Sequence, residues 1–191
     1  MNEALQNFND KYFKTEKIDD KVYLMAPPRD EHIDVQGNLN KIFNDYFKQN
    51  KKRCRARFDS RTDIDDAGNY VKPDLKVLCS GNFNKDVPVI VVEILSKSTR
   101  ERDLGIKMEK YAQLGIKEYW IVTWETLSVD VYLLNEARQY KLYKSYTLLE
   151  DDDDISDLSE EEQKEFVTEF YTLTFPELIV KLEDVFDIYK G

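Results

Sequence analysis

Residues 71–79 read VKPDLKVLC, and residues 88–122 read PVIVVEILSKSTRERDLGIKMEKYAQLGIKEYWIV. Each of the two apolar runs takes in one carboxylate: Asp74 just ahead of LKVLC, and Glu93 inside VIVVEIL. A helical stretch follows Glu93 at once, and a further apolar strand, EYWIV, returns after it. Strand, helix and strand with short connectors predict a crossover unit on a mixed sheet. A strand such as VIVVEIL is covered on both faces, where a carboxylate is costly to ionise without a partner. Two readings follow. Glu93 is either an edge residue paired with a lysine, or it meets Asp74 across adjacent strands to hold a divalent cation. Hard cations prefer carboxylate oxygens and keep several waters, so two acidic residues suffice.

Around this stretch, 191 residues are enough to bury a full core and predict one domain over residues 1–191. No apolar run reaches the length of a membrane-spanning helix, and the start, MNEALQNFNDKYFK, lacks the basic-then-apolar layout of a signal peptide. The expectation is a cytoplasmic protein without membrane contact. Cys54 and Cys79 have neither close spacing nor histidine neighbours, which argues against zinc; they are read as two buried thiols.

The net charge of −10 seldom belongs to a nucleic-acid enzyme, so its distribution matters. Residues 150–170 hold eleven acidic residues and one lysine, which alone carries −10. The remainder is close to neutral. The segment reads as a solvated loop or a weak helix near 159–170. The one dense basic stretch is KQNKKRCRARFDSR, residues 48–61. Lys51, Lys52, Arg53, Arg55 and Arg57 are candidates for phosphate contacts. Alternatively they solvate a helix end and keep an edge strand from pairing.

Elsewhere, Leu5, Phe8 and Tyr12 at helical spacing predict a short amphipathic start, and 12–25 a hairpin turning at Asp19-Asp20. A helix is expected from Asp30, as its N-cap, to Lys48, with Ile33, Leu39, Ile42, Phe43, Tyr46 and Phe47 inward. Strands are expected at 53–59, 62–65, 117–124, 127–134 and 138–145. The crossover helix, capped by Ser98 or Thr99, should run to about Leu114 and stop at Gly115. On it, Asp103, Lys107 and Lys110 share a face beside the packing side. A short helical piece closes the chain.

These residues resemble a known family. Pro73-Asp74, then Val92-Glu93-Ile94-Leu95-Ser96-Lys97-Ser98-Thr99, Asp103 with Lys107, Tyr111, Gly115 and Glu118-Tyr119-Trp120-Ile121-Val122 follow the order and spacing of the Uma-two family. That family is a restriction-endonuclease-like branch of the PD-(D/E)XK nuclease superfamily. The resemblance implies an α/β (α+β) fold with a mixed central sheet flanked by helices. It also implies a DNA endonuclease dependent on Mg²⁺ or Mn²⁺, with two copies pairing to cut two strands. Its site would hold Asp74 and Glu93 as metal ligands, the Ile94 carbonyl as a further one, and Glu16 and His32 nearby.

The superfamily's lysine stands two residues after the glutamate, where this chain has Leu95. Lys107 is the substitute the resemblance indicates, unless it merely pairs with Asp103 on the helix surface. Two further departures are Asp20 in place of the hairpin's glycine, and Thr123-Trp124-Glu125 in place of Asp-Pro. The alternative to an enzyme is a nuclease-fold module that binds DNA or regulates without turnover.

Overall fold

The computed structural model describes residues 14–79, 87–149, 159, 163 and 166–188. The amphipathic start at Leu5, Phe8 and Tyr12 and most of the acidic segment lie outside the described residues.

The chain begins with a hairpin, β1 (Thr15–Ile18) and β2 (Lys21–Leu24), followed by helix α1 (Asp30–Gln49). Strands β3 (Cys54–Phe58), β4 (Thr62–Asp63), β5 (Tyr70–Val71), β6 (Leu75–Cys79) and β7 (Ile90–Ile94) come next. Helix α2 covers 100–114 and passes through a π-turn at Asp103–Lys107. Strands β8 (Glu118–Thr123), β9 (Ser128–Leu134), β10 (Tyr140–Thr147), β11 (Glu169–Tyr171) and β12 (Ile179–Lys181) precede a last short helix, α3 (Leu182–Val185). Glu169 and Phe170, at the far end of the acidic segment, thus open a strand and not a helix.

Among the described residues, a six-stranded sheet in the order β10-β9-β8-β7-β6-β3 forms the centre. β7 and β8 run parallel, with α2 as their crossover, and the other neighbours are antiparallel. This is the mixed sheet that the strand–helix–strand pattern predicts. Residues of alternate parity point to opposite faces of a strand. Leu75, Val77, Ile90, Val92, Ile94, Trp120 and Val122 accordingly form one core with Val35, Leu39 and Phe43 of α1, and the β11–β12 hairpin and α3 complete it. On the other face, Val91, Tyr119 and Ile121 pack with Tyr111 of α2 and Ile18 of β1. There a smaller sheet, β2-β1-β5-β4, covers the centre.

Helix α1 departs from the expected pattern at its start. Arg29 takes the N-cap position without a side-chain cap bond, so Asp30 is the first helical residue. Ile33 is exposed, and His32, Val35 and Gln36 turn inward instead. The polar pair faces Asp74, just before the start of β6, which is why the apolar stripe misjudges this turn. Gly115 ends α2 in the left-handed conformation, φ 78°, as its position predicts. In the β1–β2 turn, Asp19 and Asp20 both have positive φ, 48° and 62°, the conformation that glycine adopts most readily.

The cysteines are not separate thiols. Cys54 of β3 and Cys79 of β6 are directly opposed in the antiparallel register and form a disulfide, with Cα atoms 4.1 Å apart. Their 25-residue separation hides this pairing until the sheet order is known. Closing a loop of that length constrains the unfolded chain by about 3 kcal/mol. Cys54→Ser should therefore lower unfolding free energy by about 2–4 kcal/mol in oxidising buffer and leave it unchanged in excess reductant, as measured by urea denaturation.

Candidate active site

Asp74 and Glu93 are brought together by strand register. Leu75 of β6 faces Val92 of β7, so Asp74, one residue earlier, lies alongside Glu93. Both are buried, and both line a cavity of about 270 Å³ with Lys14, His32, Asp59 and Asp103. The Pro27-Pro28 loop and the turn at 96–99 form much of the remaining wall.

Beneath Glu93 lies Lys107, 1% exposed. Its ammonium donates to Asp103 Oδ1 at 3.0 Å and forms ion pairs with Glu93 Oε1 at 2.8 Å and Glu16 Oε1 at 3.1 Å. The π-turn, a feature common at functional sites, carries both Asp103 and Lys107 into the interior. The face that Asp103, Lys107 and Lys110 were expected to share is thereby divided: the first two are buried, and Lys110 is half-buried and paired with Asp19. Tyr111, one turn on, donates its hydroxyl to the same Oε1 of Glu93 at 2.5 Å. Glu16 comes from β1 of the smaller sheet and also accepts the Lys72 amide at 2.9 Å. Neither Lys107 nor Glu16 belongs to the cavity wall.

Asp74 is held at both oxygens. Oδ2 accepts the Ile94 amide at 2.8 Å and lies 3.2 Å from His32 Nε2, while Oδ1 accepts Lys14 Nζ at 2.9 Å. Gln36 donates to the Asp74 carbonyl. Lys14 Nζ also meets Asp59 Oδ1 at 2.5 Å. Ile94 therefore reaches the site through its N–H, and its residue lines the cavity.

The electrostatics follow from these contacts. Burial alone would raise the Asp74 carboxyl, but the His32 hydrogen bond and Lys14 hold it well below the usual carboxylate range. Glu93 goes the other way: burial raises it well above the ordinary value, Lys107 opposes this, and Asp103, Asp74 and Glu16 add to the rise. Asp103 is raised chiefly by burial. Lys107 is penalised by burial, yet Glu93, Glu16 and Asp103 keep it protonated.

The donor set fits a hard, oxygen-ligated cation. Five carboxylates (Glu16, Asp59, Asp74, Glu93, Asp103) face three basic side chains (Lys14, Arg102, Lys107). Among the described residues, buried Glu16 Oε2 and Asp103 Oδ2 find no hydrogen-bond donor. Among the described residues no three Asp, Glu, His or Cys side chains converge on one point. Two carboxylates on one cavity, Asp74 and Glu93, are what a hard cation that keeps most of its waters would use.

The basic stretch lies apart from this centre. Lys51, Lys52 and Arg53 form the exposed link from α1 to β3, with Lys52 paired to Glu177. Arg55 and Arg57 are exposed on edge strand β3, which runs toward Asp59 at the cavity. Sequence reasoning missed Lys14, Asp59 and the role of Tyr111. Lys14 and Asp59 sit in stretches that read as hairpin and basic strand, and no local spacing joins them. Tyr111 stands in the motif, and its i+4 offset from Lys107 was the available signal.

Carboxylates from adjacent strands of a mixed sheet, with a buried lysine from the crossover helix, define a nuclease-like α+β fold. A family model described as "Putative restriction endonuclease", Uma2 (Uma-two), matches residues 3–167. The chain belongs to that family. It is similar to slr1290, an uncharacterized protein of Synechocystis, at 27% identity over 129 residues, 64% of this chain and 67% of the relative. The crystal structure of a protein titled a putative nuclease belonging to DUF820, from Anabaena variabilis, superposes with a TM-score of 0.65. It is 17% identical and covers 90% of this chain and 89% of that one. That likeness is one of fold.

Lys107→Met would strand three buried carboxylates without their common cation, a change that costs about 3–5 kcal/mol. Denaturant unfolding should show that loss, and adding Glu93→Gln should restore part of it, because the two residues share one interaction.

Proposed function

We propose that the protein is a metal-dependent DNA endonuclease, a single restriction-endonuclease-like domain hydrolysing phosphodiester bonds with Mg²⁺ or Mn²⁺ held by Asp74 and Glu93. The observation that supports this best is the pair of buried carboxylates on one cavity wall, within a cluster whose acidic groups outnumber its cations. A divalent cation, when bound, supplies Lewis-acid polarisation of a phosphodiester and a water acidic enough to attack at neutral pH.

The chain's own residues would prepare that site. Lys107 and Tyr111 fix Oε1 of Glu93, which directs the carboxylate's remaining capacity to the cavity. His32 and the Ile94 amide fix Oδ2 of Asp74. Glu16 and Asp103 hold Lys107 charged in a dry setting, where fixed charges act more strongly than in water. Lys107 thereby acts through Glu93 as a positioning residue. Arg55 and Arg57, with Lys51, Lys52 and Arg53 behind them, would steer the nucleic-acid backbone toward the β3 end of the cavity. Cytoplasmic action, and pairing of two copies to cut both strands, belong to the same proposal. No helix among the described residues is long and apolar enough to cross a membrane.

The deciding assay is nicking of supercoiled plasmid at low salt with Mg²⁺ or Mn²⁺. Wild type should cleave, and Asp74→Asn and Glu93→Gln should each fall by at least about a hundredfold, the scale of losing a group that stabilises developing charge. Absence of cleavage across metals and single-stranded substrates, with the fold intact, would favour the DNA-binding or regulatory module.

A further inference from the structure

Lys14 differs from Lys107 in every respect that bears on substrate. Lys107 is sealed behind Glu93, whereas the Lys14 side chain is 24% exposed and lines the cavity. Its Nζ bridges Asp74 Oδ1 and Asp59 Oδ1. The two oxygens of Asp74 are unlike in consequence. Oδ2 is held by a backbone amide that cannot leave without moving the sheet, and also by the buried His32 side chain on α1. Oδ1 is held by a flexible four-carbon side chain with a second anchor already in place. Oδ1 is therefore the oxygen Asp74 can offer to another cation. Asp59 holds its backbone at φ 50°, a left-handed conformation unusual for a residue other than glycine, and so presents that second anchor at the cavity.

We propose that Lys14 is the cavity's exchangeable cation: its ammonium occupies Oδ1 of Asp74, yields it to an incoming divalent ion, and pivots on Asp59 to contact the phosphodiester. This rests on the nuclease reading above. It assigns the phosphate-facing lysine to the first hairpin and leaves Lys107 as the buried counter-charge. A compact ammonium on a flexible stem suits both positions, since it binds as a point charge and does not demand the planar geometry of a guanidinium.

The test is Mn²⁺ titration by calorimetry in the absence of DNA, on wild type, Lys14→Met, Asp59→Asn, the double variant and Asp74→Asn, followed by single-turnover cleavage at saturating Mn²⁺. Lys14→Met should bind Mn²⁺ about tenfold tighter, because its competitor is gone, and yet cleave about a hundredfold or more slowly. Asp59→Asn should weaken Mn²⁺ binding by leaving Lys14 with Asp74 alone, and should have no effect once Lys14 is methionine. That second result separates exchange from a general change of charge. The Asp59 side chain is 45% exposed, so its variant tests the idea even if Lys14→Met folds poorly.

Asp74-dependent Mn²⁺ binding that Lys14→Met leaves unchanged or weakens would overturn the exchange while leaving the metal site standing. Tighter binding with undiminished cleavage would overturn the phosphate contact. No Asp74-dependent binding in either wild type or Lys14→Met would overturn the metal reading and the exchange with it.

Discussion

A single buried ammonium ties three parts of this structure together. Lys107, from the π-turn of α2, is shared by Glu16 of the small sheet, Glu93 of the central sheet and Asp103 of its own helix. Ion pairs at a surface contribute little, but a pair this deeply buried cannot lose one partner without leaving an uncompensated charge in a medium that solvates it poorly. The placement of β1 over the sheet, the inward set of the π-turn and the orientation of Glu93 are all conditions for satisfying that charge. Tyr111 and Arg102 extend the same arrangement: the tyrosine by its bond to Glu93, the guanidinium by lying near Glu16 and over the Tyr23 ring.

The cluster remains acidic after all its internal pairing. Glu93 and Asp103 are pushed up by burial while Asp74 is held down, so neighbouring carboxylates differ in their readiness to ionise. A site with that imbalance suits a cation more than it suits a further anion. The opposite sign of charge is kept at a distance, on the exposed side of β3 and the turn before it, where arginines and lysines meet solvent. Separating an acidic centre from a basic approach is physically sensible for handling a polyanion with a cation's help. It is also consistent with a chain of net charge −10 whose excess acidity lies in one stretch of the sequence, residues 150–170.

The central fold was legible because its signals are local. Alternation in SVDVYLL, the apolar runs around Asp74 and Glu93, and Gly115 after a helical stretch each report a backbone preference within a few residues. The spacing of Pro73-Asp74, Glu93, Asp103, Lys107 and Trp120 carried the family. Failures came where a polar residue is buried for a tertiary reason. His32 and Gln36 displaced Ile33 from the inner face of α1 because they serve Asp74. The resemblance pointed to Lys107 as a site residue, and the alternative, a pair with Asp103 on the helix surface, fails because the π-turn buries both. Cys54 and Cys79 were read as two buried thiols because cross-strand register has no signature in sequence separation.

By itself, then, the sequence determined the element types, the crossover unit, the family and the two carboxylates at the centre, since these depend on periodicity and on residue type along one stretch. Tertiary structure alone decided that Lys107 is enclosed, that Lys14 and Asp59 share the cavity with Asp74, and that the cysteines are opposed. The reason is the range of the forces involved: hydrophobic period and turn chemistry act between near neighbours in the chain. Pairing of buried charges acts between near neighbours in space, and only the packed sheets bring residues 14, 59, 74, 93 and 107 within its reach.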